Sequence, residues 1–198
     1  CWSRGLAWSL YGFARSARQS GYGTYEAVAR ANADYLLAHA PEGITPWDFD
    51  APPAGPLSRQ RVDTSASAIA AAGLLHLANR LDARGERLPA ARYRAWALDA
   101  LQALCRDHLG DGGDGFEGIL RDGVYHIHKG LGVGEAVAFG DYFFVEALQK
   151  AVEHLRAEER QNPLPRETTA YPEDTLPASA RVWTDGPTEE EMPAPTND

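Results

Sequence analysis

Cysteine is nearly absent from this sequence of 198 residues: it holds only Cys1 and Cys105. They lie far apart with no Cys-x-x-Cys spacing, so neither a disulfide framework nor a zinc site is indicated. No apolar run approaches the roughly 18 to 20 residues that span a bilayer, which argues against a membrane partner. The first residues also lack the basic start and small-residue cleavage site of a signal peptide. A basic excess is missing too, with 19 Lys and Arg against 28 Asp and Glu for a net charge of -9, so nothing argues for a nucleic-acid partner. There is no Gly-rich phosphate loop, no nucleophile elbow and no His-Glu-x-x-His pattern. His126 and His128 in "VYHIHKG" stand two apart with no third ligand, a poor basis for a metal site. A solvated loop or a contact to a bound sugar fits them better.

The negative charge is unevenly placed. From Ala157 to Asp198 there are ten acidic residues, three basic ones and seven of the thirteen prolines, with no apolar periodicity. Residues 157–198 therefore read as a disordered, Pro-rich acidic tail, with a partner-binding arm as the alternative. Residues 1–156 remain as one domain of ordinary size, near a charge of -2.

Within that domain, five segments carry helical patterns. The first runs from about Trp2 to Arg18, and the second from about Thr24 to His39 with Val28, Ala31, Tyr35 and Ala38 at helical spacing. The third is "DTSASAIAAAGLLHLANRLD", where Asp63 or Thr64 can cap the first turn and Ile69, Gly73 and Leu77 share a face. The fourth spans about Pro89 to Leu109, with a stripe of Tyr93, Ala97, Leu101 and Leu104. The fifth spans about Asp141 to Leu155, with Phe144, Val145, Leu148 and Val152. No segment reads as a buried strand, so the expected fold is all-α.

Two connections exceed the roughly 2 to 8 residues usual between bundled helices: "PEGITPWDFDAPPAGPLSRQRV" and "GDGGDGFEGILRDGVYHIHKGLGVGEAVAFG". They alternate with short links, which places both at one end of a helical-hairpin array, as in an α/α toroid. Loops of this length rich in aromatics, Asp and Gly are expected to be functional.

Arg4, Trp8 and Tyr11 share one helix face. A guanidinium offers a planar fork for a carboxylate and an indole offers a stacking surface for a sugar ring, while a structural cation-π pair of Arg4 with Trp8 is an equal alternative. Asp48, Asp50, Asp63, Glu117, Glu135 and Asp141 are formal candidates for proton delivery. Simpler roles fit better: Asp63 as a cap of the third helix, Asp141 as a cap of the fifth, and Asp48 and Asp50 as braces of a Pro-flanked turn.

Taken together, "CWSRGLAWSLYGFA", "TPWDFDAP", "DTSASAIAAAGLLHLA" and "FGDYFFVEAL", in this order and spacing, resemble the carboxy-terminal half of the unsaturated glucuronyl hydrolases, glycoside hydrolase family 88. The resemblance covers about residues 1 to 155. It implies an incomplete (α/α)6 barrel and the removal of 4,5-unsaturated glucuronic acid from lyase-generated oligosaccharides by vinyl ether hydration, with neither metal nor organic cofactor. It places Arg4 and Trp8 in the substrate pocket and sets "YHIHKGLG", with His126 and Lys129, beside the leaving sugar. Where some bacterial members have a sulfate-holding Ser-x-x-Ser-x-Lys, this chain has His126, Lys129 and Leu131, and Leu6 replaces a usual Gln that would supply amide hydrogen bonds. The family's proton-donating Asp is expected upstream of Cys1, so no catalytic residue is assigned here and the chain alone is expected to be inactive. An unsaturated rhamnogalacturonyl hydrolase, a noncatalytic carbohydrate-binding module and a degenerate remnant are the alternatives.

Overall fold

The computed structural model describes residues 1–113 and 115–162; most of the expected tail lies outside the described residues. Five α-helices carry the fold: α1 (Ser3–Ser20), α2 (Gly23–His39), α3 (Thr64–Ala83), α4 (Arg87–Asp107) and α5 (Ala138–Gln161). α5 runs through Gln161, past the domain boundary drawn at residue 156. Between α4 and α5 lies an antiparallel hairpin of β1 (Gly123–His126) and β2 (Leu131–Glu135), joined by a 3-10 turn at Ile127–Lys129.

That hairpin adds two short strands, the second with no buried residue, to the expected all-α array. Its strands are too short for a period-2 signal, and β2 alternates with glycine. The glycines have a steric cause. Gly130 closes the turn at φ 63°, and at Gly132, with φ 55°, an added Cβ would fall 2.8 Å from the Tyr125 Cβ.

α3 is the centre of the array. Sixteen of its residues are buried on every face, because its alanines let α1 and α4 pack on opposite sides. At Gly73 an added Cβ would sit 3.0 Å from the Tyr11 backbone, so that glycine lets α1 and α3 approach closely. Asp63 caps α3 as expected, accepting from the Ser65 amide at 3.1 Å. The stripe read for α4 is buried throughout.

The stripes read for α2 and α5 are out of phase. α2 buries Glu26, Ala29, Ala33 and Leu36 and exposes Val28, Ala31 and Ala38. Its alanines carry little phase information, and the Glu26 carboxylate is buried because Arg80, Arg84 and Arg30 donate to it at 2.6, 3.0 and 3.0 Å. α5 buries Phe143, Phe144, Ala147 and Ala151, leaving Tyr142, Val145, Val152 and Leu155 exposed. Nor does Asp141 cap α5, which starts three residues earlier. Its carboxylate instead accepts from the Leu120 and Ile119 amides at 2.9 and 3.0 Å, tying the second long loop down.

The two long connections do share one end. Thr64 at the start of α3 donates its amide to the Asp122 carbonyl at 3.2 Å and its hydroxyl to the Arg121 carbonyl at 2.6 Å. The first long loop is stitched to α1 by the Ser3 amide on the Trp47 carbonyl at 3.3 Å, and to itself by the Trp47 amide on the Arg61 carbonyl at 2.9 Å. This hairpin array with its loops gathered at one end is the α/α toroid arrangement.

Candidate functional site

Where the two long loops meet the start of α1, they enclose a cavity of about 450 Å³. Trp2 and Arg4 come from α1 and its entry, Trp47 and Asp48 from the first long loop, and Val124 to His128 from the hairpin. The lining is mostly aromatic with a few convergent polar groups, the composition of a small-molecule site.

Arg4 is held rather than free. One terminal nitrogen donates to Asp63 Oδ2 at 3.3 Å and to the Val124 carbonyl, and the other donates to the Tyr125 carbonyl at 2.7 Å. Its guanidinium lies over the Trp2 ring at 4.9 Å and the Phe139 ring at 5.0 Å. The cation-π partner is therefore not Trp8. Burial pulls the Arg4 pKa down, against the opposing pull of Asp63; burial also pushes the Asp63 carboxyl up, against its donors Ser65, Arg4 and the Val124 amide. One Asp63 carboxylate thus joins α1, the start of α3 and β1 at the cavity floor.

The sequence-derived candidates separate in space. Arg4 and His126 line the cavity, whereas Trp8 and Lys129 do not. Trp8 packs on Phe139 at 5.9 Å and on Phe143 at 5.1 Å, so Phe139 lies against both Trp8 and Arg4. Lys129 is exposed on the hairpin turn. Of the carboxylates, Asp48 lines the cavity and receives the Asp50 amide at 2.8 Å, the brace expected of it, while Asp63 is wholly buried beneath it.

Trp2, Trp47 and Tyr125 are cavity residues that sequence reasoning did not single out, and His128, weighed there with His126, also lines the cavity. The Trp47 and His128 rings meet edge to face at 5.5 Å, and the Trp47 indole donates to the Ser58 carbonyl at 3.1 Å. Their signal was the richness of both loops in aromatics and histidine, but nothing local says that residues eighty apart share a wall. Among the described residues, no group of three His, Cys, Asp or Glu is placed to hold a metal.

Behind this wall, a second polar cluster joins α1, α3 and α5. His76 Nε2 donates to Glu146 Oε1 at 2.8 Å, the Tyr11 hydroxyl donates to Glu146 at 3.1 Å, and Arg15 lies 3.6 Å from the same carboxylate. Burial lowers the His76 pKa to about 4 despite Glu146, and burial together with Glu146 pushes Tyr11 up to about 12.

No protein-family model matches the chain. It is 38% identical over 149 residues to an unsaturated glucuronyl hydrolase of Bacillus sp. (strain GL1), covering 74% of this chain and 38% of that protein. It is 31% identical over 149 residues to an unsaturated chondroitin disaccharide hydrolase of Streptococcus pyogenes serotype M1, covering 74% and 36%. The crystal structure of the Bacillus sp. GL1 enzyme superposes with a TM-score of 0.69 at 34% identity, over 76% of this chain and 39% of that one. An unsaturated glucuronyl hydrolase specific for heparin superposes with a TM-score of 0.68 at 27% identity, over 78% and 40%. The chain thus spans about two-fifths of the length of the relatives it matches.

Proposed function

We propose that this chain, a relative of the unsaturated glucuronyl hydrolases over three quarters of its length, forms the sugar-binding wall of an enzyme that removes 4,5-unsaturated glucuronic acid from acidic oligosaccharides. The observation that carries the reading is Arg4, set by two carbonyls and one carboxylate against the aromatic cavity of Trp2 and Trp47. An unsaturated uronide presents a carboxylate and a flattened ring. A fixed guanidinium suits the first and indole faces suit the second.

In the proposed reaction, a carboxylic acid protonates C4 of the vinyl ether and water adds at C5 while giving up a proton. The resulting hemiketal opens at its ring oxygen to a C5 ketone. The hemiacetal left at C1 then releases the sugar, and the elements of one water are consumed. No cofactor enters this balance. Asp48, Asp63 and Asp141 are already engaged in bracing, pairing and pinning, and Asp50 does not line the cavity, so none is assigned as the acid. We place that acid in the portion of the relatives that this chain does not match.

His126 and Lys129 belong, in this reading, beside the sugar that leaves, and Trp8 backs the uronide wall through Phe139. The relatives' names support a carbohydrate substrate, and the Bacillus enzyme's structure is described as responsible for degradation of glycosaminoglycan. The test is calorimetric titration of the chain with an unsaturated chondroitin disaccharide. Loss of the Arg4 charge in Arg4→Ala is expected to weaken binding by about 1.5 to 3 kcal/mol. Since that change also strands Asp63, the exposed ring of Tyr125 provides a second variant, Tyr125→Ala, expected to weaken binding with an unchanged melting temperature. Undiminished affinity in both variants overturns the assignment.

A further inference from the structure

The loop that carries Trp47 separates two cavities. Trp47 and Asp48 face the first, while Pro46 and Phe49 line a second of about 390 Å³ on its other side. A smaller cavity of about 180 Å³ lies between them, sharing Val124 with the first and Gln60 and Val62 with the second. The three adjoin one another around the loop through these shared residues.

The far cavity has the chemistry of a sugar platform. The His39 ring lies flat on Tyr35, 3.9 Å between centroids and 14° between planes, and Phe49 meets both rings edge-on at 5.9 and 5.6 Å. These stacked rings offer a rigid apolar wall, the kind of surface on which the C–H face of a pyranose packs. Beside them, Arg59 makes no side-chain hydrogen bond or ion pair with another described residue. Arg61 lines the small cavity, where the one carboxylate, Asp122, is already taken by His108 at 2.8 Å. An uncommitted cation beside aromatic rings, linked to the first cavity through the residues of the small one, suits a carbohydrate bearing carboxylate or sulfate groups.

We propose that His39, Phe49, Arg59 and Gln60 form a distal subsite that holds the farther residues of an acidic oligosaccharide whose unsaturated end occupies the first cavity. The inference rests on the proposed uronide reading of that cavity and extends it to substrate length. The protein then prefers a tetrasaccharide to a disaccharide, and the preference is set by residues that never touch the unsaturated ring.

The experiment compares the binding of unsaturated chondroitin disaccharide and tetrasaccharide to the chain and to His39→Ala/Arg59→Ala, both exposed positions, with amide NMR shifts reporting which cavity responds. The expected result is at least tenfold tighter binding of the tetrasaccharide, an advantage that the double variant abolishes while its disaccharide affinity holds. Equal affinity for the two lengths, or an advantage that survives the double variant, overturns the distal subsite and leaves the first cavity's role standing. Tetrasaccharide binding that shifts only the amides around His39 and Arg59, with no disaccharide binding, supports the platform and overturns the uronide reading. Failure of both sugars to bind overturns both.

Discussion

Lowering the pH should destabilise this domain through one buried imidazole. His76 is 2% exposed and keeps its pKa near 4 in the fold, against an ordinary value of 6.5. The groups facing it are Glu146 and Lys150 from α5 and Arg15 and Tyr11 from α1; Glu146 favours the proton, whereas burial, Lys150 and Arg15 disfavour it. Between pH 6.5 and about 4 the unfolded chain binds a proton at this site that the folded chain refuses. Stability is therefore fully present above pH 6.5, falls as the pH drops through this window and levels off below about 4. At about 1.4 kcal/mol per pKa unit, the whole effect is about 3 kcal/mol, a large part of the roughly 5 to 15 kcal/mol that stabilises a typical domain. The assay is urea unfolding at pH 7, 6, 5 and 4.5, comparing the protein with His76→Gln, whose amide still donates to Glu146 but does not titrate. Carboxylates titrate in both proteins, so their contributions largely cancel in the difference. The variant should lose about 2 to 3 kcal/mol less than the parent between pH 7 and 4.5. Parallel stability curves would refute the reasoning.

Two substitutions test the framework of the site. Asp63→Ala removes the α3 cap and leaves the Arg4 guanidinium buried without its counter-charge, an expected loss of about 3 to 5 kcal/mol in chemical denaturation. Asp63→Asn keeps a capping oxygen and should lose clearly less; equal losses would show that the counter-charge alone matters and the cap contributes nothing. Gly43 has φ 84°, and a Cβ there would meet the Ala100 Cα at 2.7 Å. Gly43→Ala should then lose more than the roughly 1 to 2 kcal/mol of left-handed backbone strain alone, and an unchanged melting temperature would contradict the close approach.

The helices were legible where local pattern and capping agreed. Asp63 before an alanine run marked the start of α3, and Tyr93, Ala97, Leu101 and Leu104 marked the buried side of α4. Phase failed where apolar residues occur on several faces. On α5, Phe143 and Phe144 are buried and Val145 is not, although all three are large and apolar. On α2, a buried Glu26 contradicts any hydropathy stripe, because its partners Arg80 and Arg84 stand more than fifty residues away.

The amino-acid sequence by itself determined five helices, the alternation of long and short connections and the presence of Arg4 on an aromatic-flanked helix face, since these follow from periodicity, capping and link length. Only the tertiary structure decided which aromatics meet. Trp2, Trp47 and Tyr125 line one cavity, Trp8 turns to Phe143 instead, and Asp63 serves at once as cap, counter-ion and anchor of β1. The physical reason is range. A helix forms through bonds four residues apart, whereas Arg4 is oriented by carbonyls 120 and 121 residues away that reach it only after two long loops have closed over the same end of the array.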